Sequence, residues 1–311
     1  MKYAVIDIGS NTIRLCVYQI EETQFHLLFS EKAMAGLAGY VKKGILSPAG
    51  IQRACAALTR FKELLTQFDI DHIFAFATAS LRNITNTEEA LRQIHAQTGF
   101  SVDLISGREE AILDYRGSLH DQGLPSGLLV DIGGGSTELA VFEQEQIRLA
   151  ESLPIGSLSL HTQYVRKFLP NAEEQNRIRK KIQQEWNRLK DGESASRLSE
   201  FLPHEPEICG VGGTVRAALK LINTDYRLPY DNRQFTARQL HTLTEELCLR
   251  NKEARTRILR HCPDRVHTIL PGLLILDTLV QKTGGRRVTV SRFGVREGYL
   301  CKQLEMSKES Q

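Results

Sequence analysis

AVIDIGSNTIRLCVY, residues Ala4–Tyr18, and LLVDIGGGSTELAVF, residues Leu128–Phe142, are two copies of one pattern. Each runs from an apolar strand into Asp-Ile-Gly, through a small polar turn, and out into a second strand of alternating apolar residues. Asp7 aligns with Asp131, Gly9 with Gly133, Leu15 with Leu139 and Val17 with Val141. Period-two alternation on both sides of a glycine turn predicts a β-hairpin. A repeated hairpin predicts two similar domains, each opening with an aspartate at the end of its first strand.

Outward from the first copy, helices and strands alternate. Ser47–Phe68 carries Pro48 near its start and apolar residues at helical spacing: Ile51, Ala54, Leu58, Phe61 and Leu65. Ile73–Ala77 reads as a strand, Thr87–Gln97 as a helix, Val102–Ile105 as a strand and Gly107–Leu119 as a helix. After the second copy, helices are expected at Ser157–Phe168 and Asn171–Leu189, a strand at Glu207–Val211, and helices at Thr214–Ile222, Thr236–Arg250 and Asp264–Lys282. A strand at Arg287–Ser291 and a last helix, Val295–Glu305, close the pattern, and that helix could fold back on the first domain. The alternation implies an α/β fold with a mixed sheet in each half. The polar, Gly- and Pro-containing HDQGLPSG at His120–Gly127 sets the boundary, giving domains 1–120 and 121–311.

Composition narrows the function. At 41% apolar and 25% charged residues, the chain is neither disordered, collagenous nor a coiled coil. A net charge of +3 is too balanced for a protein that coats nucleic acid, so no nucleic-acid partner is expected. The longest apolar run, Ile269–Val280, is short and contains Asp277, so no membrane partner is expected either. Asp7 interrupts the N-terminal apolar stretch where a signal peptide would need continuity. The six cysteines are scattered without C-x-x-C, and the nine histidines form no H-E-x-x-H or H-x-H, so a cytoplasmic location and no zinc site are expected.

Three glycine-rich turns follow strands: IDIGSNT, VDIGGGST and CGVGGTVRAA. Glycine lets backbone amides approach an anion, and successive amides form a phosphate-binding nest. The third turn runs into a helix expected near Thr214, bringing a helix N-terminus to the ligand. Neither the P-loop nor the G-x-G-x-x-G pattern is present. Candidate phosphate contacts are Ser10, Asn11, Thr12 and Arg14 from the first turn; Gly134, Gly135, Ser136 and Thr137 from the second; and Gly212, Gly213 and Thr214 from the third. Two such hairpins suggest a cleft that resembles the actin-like, hexokinase-like arrangement, in which Asp7 and Asp131 would flank a Mg²⁺ ion.

ISGREEA, Ile105–Ala111, adds a carboxylate pair. Ser106 and Glu109 have the spacing of a capping box, which accounts for Glu109 and leaves Glu110 free for chemistry. With this segment the chain resembles the exopolyphosphatase/guanosine pentaphosphate phosphatase (Ppx/GppA) family. The matching pieces are Asp7–Leu15, ATASLRNITN at Ala77–Asn86, ISGREEA, VDIGGGSTEL at Val130–Leu139, GVGGTVRA at Gly210–Ala217, LPG at Leu270–Gly272 and GVREG at Gly294–Gly298.

The resemblance implies two actin-like (ribonuclease H-like, ASKHA) domains with a mixed sheet each and an interdomain cleft. It implies Glu110 as the general base for water and Arg82 as a phosphate ligand. Asp131 and Glu138 become metal-side carboxylates, with Ser136 and Asn11 as polar contacts and Mg²⁺ as cofactor. The expected activity is release of terminal orthophosphate from inorganic polyphosphate or guanosine pentaphosphate by a homodimer. A small-molecule kinase of the same fold, or a non-catalytic polyphosphate or nucleotide sensor, are the alternatives. His267 departs from the family, which usually has Asp before the P-G element. The chain resembles the short, two-domain form, without the helical HD-like region of long members. Of the basic clusters, Arg177–Lys190 and Leu249–Arg260 read as solvated faces. Arg286, Arg287 and Arg292, near GVREG, could add positive potential for a polyanion.

Overall fold

Lys2–Ile8 (β1) and Ile13–Glu21 (β2) form the first hairpin, in a register that sets Asp7 opposite Arg14. The computed structural model describes residues 1–21, 24–121, 123–191 and 200–309. Gln24–Ala33 (β3) pairs antiparallel with β2, and Val41–Lys42 (β4) with Ile45–Leu46 (β5) makes a separate small ribbon. His72–Ala77 (β6) runs parallel to β1, and the two-residue Asp103–Leu104 (β7) parallel to β6. The first sheet is thus ordered β3-β2-β1-β6-β7.

The second sheet repeats this plan. Ser126–Ile132 (β8) and Thr137–Glu143 (β9) form the second hairpin, with Asp131 opposite Glu138. Gln146–Leu153 (β10) adds antiparallel to β9, Ile208–Val211 (β11) lies parallel to β8, and Gln234–Thr236 (β12) is an antiparallel edge on Arg287–Val290 (β13). The order is β10-β9-β8-β11-β13-β12. An antiparallel trio followed by parallel strands in both sheets is the mixed α/β topology expected from the repeat.

Sequence periodicity did not anticipate β3, β10 or β12. Both β3 and β12 are largely solvent-facing, so neither carries the alternation that reveals a half-buried strand.

The helices are Pro48–Leu65 (α1), Ala79–Arg82 (α2), Thr87–Thr98 (α3), Gly107–Leu119 (α4), Ser157–Tyr164 (α5), Ala172–Asp191 (α6), Gly212–Asp225 (α7), Ala237–Cys248 (α8), Lys252–His261 (α9), Ile269–Thr283 (α10) and Val295–Glu309 (α11). The helix expected over Asp264–Lys282 starts only at Ile269. Pro263 follows α9 and begins a single 3₁₀ turn, Pro263–Arg265, that separates α9 from α10. Among the described residues no helix is long and apolar enough to cross a membrane.

Two helices determine where the chemistry sits. Ala111 and Tyr115 of α4 pack on Leu129, Ala140 and Phe142 of the second sheet. Leu113, on another face of α4, joins Tyr299 and Leu300 of α11 against Val5, Tyr18 and Phe76 of the first sheet. Helix α4 therefore lies between the sheets, with α11 packed against it and against the first sheet. They cross tightly: a Cβ on Gly298 would overlap the Leu113 carbonyl. Burial of α4 on so many sides brings its acidic first turns into the interior.

Candidate active site

The turns of the two hairpins close in the same way. Gly9 N–H donates to Thr12 O at 3.1 Å, and Gly133 N–H donates to Ser136 O at 3.0 Å. Between them lies a narrow cavity of about 160 Å³. Asp7, Ser10, Asn11, Thr12, Arg14, Glu110, Asp131, Gly134, Gly135, Ser136, Gly212 and Gly213, all expected from sequence, line it. Helix α7 begins at Gly212, two residues before the expected start, so its unsatisfied first-turn amides belong to Gly212 and Gly213. Gly212 has φ +82°, and a Cβ there would overlap the Asp131 carboxylate. Only glycine holds this approach.

Four expected residues are not on the cavity wall. The Thr137 hydroxyl donates to Ile155 O at 2.6 Å and the Thr214 hydroxyl to Ile132 O at 3.2 Å. Buried hydroxyls need partners, and these two tie backbone segments together instead of facing a ligand. Arg82 is drawn back by carboxylates: its Nη1 donates to Glu110 Oε2 at 2.8 Å and to Ile105 O at 3.1 Å, and Nη2 is 3.6 Å from Glu138 Oε1. Glu138 accepts from Ser152 Oγ at 2.8 Å. Asp7 lines the cavity but is paired with Arg296, 3.3 Å away.

Glu109 does not close the expected capping box. Its amide donates to Ser106 Oγ at 3.1 Å, but its side chain reaches Lys302 Nζ at 2.5 Å. His267 is outside the site: its ring packs on Phe168 and His161. The basic cluster also divides. Arg286 and Arg287 stand where β13 begins, whereas the cavity lies where the neighbouring parallel strands end. Arg286 pairs with Glu205 and Arg292 with Asp121.

Sequence reasoning missed Asp114, Arg216, Arg265 and Arg296, all of which line the cavity. Arg216 and Arg296 fall inside GVGGTVRA and GVREG, yet nothing in their spacing shows that the two helix starts converge. Asp114 stands one helical turn after Glu110, a spacing that places both on one face of α4. A wider cavity of about 740 Å³ shares Arg14, Gly213, Arg216, Arg265 and Arg296 with the narrow one. Lys220, Arg292, Phe25 and Phe293 extend its wall.

The electrostatics follow from burial. Burial pushes the Glu110 carboxyl well above the usual carboxylate range; the Glu138 charge adds to this and Arg82 opposes it. Burial also raises Asp114, reinforced by Asp131, Glu110 and Glu138. Glu138 is pushed up to about 7 by burial, against hydrogen bonds from Ser136 and Ser152. Asp131 is raised by burial, with Arg216 and Arg296 opposing. Closely set carboxylates that resist ionisation together invite a cation.

Among the described residues no three His, Cys, Asp or Glu side chains form a ready-made chelate. Asp131 Oδ1 and both Asp114 oxygens are nevertheless buried without a hydrogen-bond partner. Hard oxygens of this kind fit Mg²⁺, which takes one or two carboxylates and completes its shell with water and phosphate oxygens.

Comparison with known proteins bears on this geometry. The model of the Ppx/GppA phosphatase family matches residues 16–307. A Haemophilus influenzae protein provisionally named an exopolyphosphatase is 29% identical over 299 residues, covering 96% of this chain and 90% of that protein. The Aquifex aeolicus member of the Ppx/GppA family superposes with a TM-score of 0.77 at 26% identity, over 99% of this chain and 98% of its own. An exopolyphosphatase from Cytophaga hutchinsonii shares the fold, with a TM-score of 0.86 at 21% identity and 98% coverage of both chains. The fold is therefore the actin-like one that the resemblance implied. The family match takes in the second hairpin, the α4 carboxylates and the GVREG helix, and on it the chain belongs to the Ppx/GppA phosphatase family.

Proposed function

We propose that this chain hydrolyses a terminal phosphoanhydride, releasing orthophosphate from inorganic polyphosphate or guanosine pentaphosphate. The observation that carries the reading is Glu110, a carboxylate 7% exposed on the wall of a cavity that also carries glycine amides, hydroxyls and the guanidinium groups of Arg14, Arg216, Arg265 and Arg296. Hydrolysis needs a group that takes a proton from water at the moment of attack, and a carboxylate of raised proton affinity suits that near neutral pH.

In this reading water sits against Glu110 and attacks the terminal phosphorus. Its proton passes to Glu110, the bridging P–O bond breaks, and the leaving phosphate keeps the bonding electrons. Arg82 is a positioning residue: it orients Glu110 and favours its ionised form. Amides of Gly134, Gly135, Gly212 and Gly213, the side chains of Ser10, Asn11, Thr12 and Ser136, and the guanidinium of Arg14 hold the equatorial oxygens. Arg216, Arg265 and Arg296 balance the charge where the narrow cavity meets the wider one. Asp131 would hold Mg²⁺, with Glu138 and Asp7 close by, and the ion would neutralise phosphoryl charge. The remainder of the substrate occupies the wider cavity, in a cleft between a domain of residues 1–120 and one of 121–311.

The test is orthophosphate release from long-chain polyphosphate and from pppGpp, side by side, with and without Mg²⁺. Phosphate left on an organic acceptor, with no orthophosphate, would identify a kinase. Tight binding without turnover would identify a sensor.

A further inference from the structure

A divalent cation needs carboxylate oxygens that are not already committed, and the acids of the cleft differ in this respect. Asp7 is paired with Arg296, Glu110 with Arg82, and Glu138 with Ser152 Oγ while facing Arg82. Glu138 and Arg82 also stand behind the cavity wall. Two acids remain. Asp131 Oδ1 has no hydrogen-bond partner, and neither has either oxygen of Asp114, a side chain with 0% exposure. Both residues line the narrow cavity, Asp131 from the end of β8 and Asp114 from α4, which packs on the second sheet.

An unpaired, fully buried carboxylate is costly unless something compensates it. No side chain donates to Asp114, although the Val295 backbone lies near enough to favour its ionised form, whereas Asp7 and Glu110 on this wall are each paired with an arginine. Resting on the hydrolase reading above, we propose that Asp114 is a direct ligand of the divalent cation, sharing it with Asp131. Glu138 then takes the part of a neighbour that orients the site through Ser152 and Arg82. Two protein carboxylates leave the other positions of a hard ion open to water and phosphate oxygens, as a site that must bind and release a polyphosphorylated substrate requires.

The experiment is titration of substrate-free protein with Mn²⁺, read from loss of the free-ion paramagnetic resonance signal, for wild type, Asp114→Asn, Asp131→Asn and Glu138→Gln. Asp114→Asn and Asp131→Asn should each weaken Mn²⁺ binding ~10-fold or more, and Glu138→Gln distinctly less. Asp114→Cys separates ligation from charge at a distance. A thiolate in the coordination shell should exchange Mn²⁺ preference for Cd²⁺ and give sulfur-to-cadmium ultraviolet absorption above the wild-type background. Circular dichroism establishes that each variant is folded, and if Asp114→Asn is not, Asp114→Cys alone decides. Unchanged Mn²⁺ affinity in Asp114→Asn, no Cd²⁺ gain in Asp114→Cys, or a wild type that takes up no Mn²⁺ would each overturn the proposal. Orthophosphate release is scored separately. Mn²⁺ held through Asp114 without hydrolysis refutes the activity and leaves the site standing, while hydrolysis with Asp114→Asn binding Mn²⁺ normally refutes only the site.

Discussion

Arg82 Nη1 donates to Glu110 Oε2 at 2.8 Å, joining the end of α2 to the first turn of α4. Glu110 is buried and Arg82 partly so, and the guanidinium opposes the effects that push the Glu110 carboxyl upward. Removing the positive charge should therefore raise that carboxyl further. Because the base must be ionised to accept a proton, Arg82→Gln should move the acidic limb of the kcat profile to higher pH. A profile that drops in height with its limb unmoved would show that Arg82 does not act through Glu110.

Glu109 and Glu110 are adjacent in sequence but face different partners. Glu109 reaches Lys302 on α11, in a pair about one-third exposed, which contributes ~1 kcal/mol or less to stability. Glu109→Gln should thus lower the melting temperature slightly and leave kcat unchanged. A large loss of turnover in Glu109→Gln would mean that the two glutamates have been assigned the wrong way round.

Stability should depend on pH through Glu138. Its carboxyl is pushed up to about 7 from an ordinary 4.5, so the folded state holds this proton to higher pH than the unfolded chain does. Its contribution is intact below the unfolded value and is lost as pH rises through the folded one, on the order of 3 kcal/mol. Raised Glu110 and Asp114 act in the same direction. Between about pH 5 and pH 8, Glu138→Gln should flatten the decline of melting temperature seen in wild type, and Mg²⁺ should stabilise wild type most at the alkaline end. A variant that keeps the wild-type slope would contradict this.

Much of the molecule was legible because the repeat fixes it. Asp7 and Asp131, aligned by sequence alone, do occupy equivalent positions at the ends of β1 and β8, opposite Arg14 and Glu138. Glycine turns are equally readable, since few residues tolerate such backbone approaches. Asp114 was not. In GREEAILDYRGSL, charged residues fall on the exposed side of α4 at Arg108 and Arg116 and on its buried sides at Glu110 and Asp114, so the pattern does not mark Asp114 as buried. The resemblance implied Arg82 as a phosphate ligand, but its contacts with Glu110 on α4 and Glu138 on β9, far along the chain, could not be read from the sequence. Arg286 and Arg287 were grouped with Arg292 for the opposite reason. Neighbours in sequence along a strand, Arg287 and Arg292 flank it at opposite ends.

Binding of long polymer should follow this division. Lys220 and Arg292 line the wider cavity, whereas Arg286 and Arg287 do not. Lys220→Ala with Arg292→Ala should raise KM for long polyphosphate and flatten its dependence on salt, since fewer counterions are released when fewer cations meet the chain. Arg286→Ala with Arg287→Ala should leave both unchanged. Equal effects from the two pairs would remove the wider cavity from the polymer's path.

The most direct measurement is a comparison of orthophosphate release by wild type and Glu110→Gln, on polyphosphate and pppGpp with Mg²⁺, run in oxygen-labelled water. Wild type should release orthophosphate carrying the label on at least one of the two substrates. Glu110→Gln should do so ~10²–10⁴-fold more slowly, with substrate binding nearly unchanged. Wild-type turnover in Glu110→Gln, or orthophosphate that carries no label from water, would contradict the assignment of Glu110 as the base that activates water.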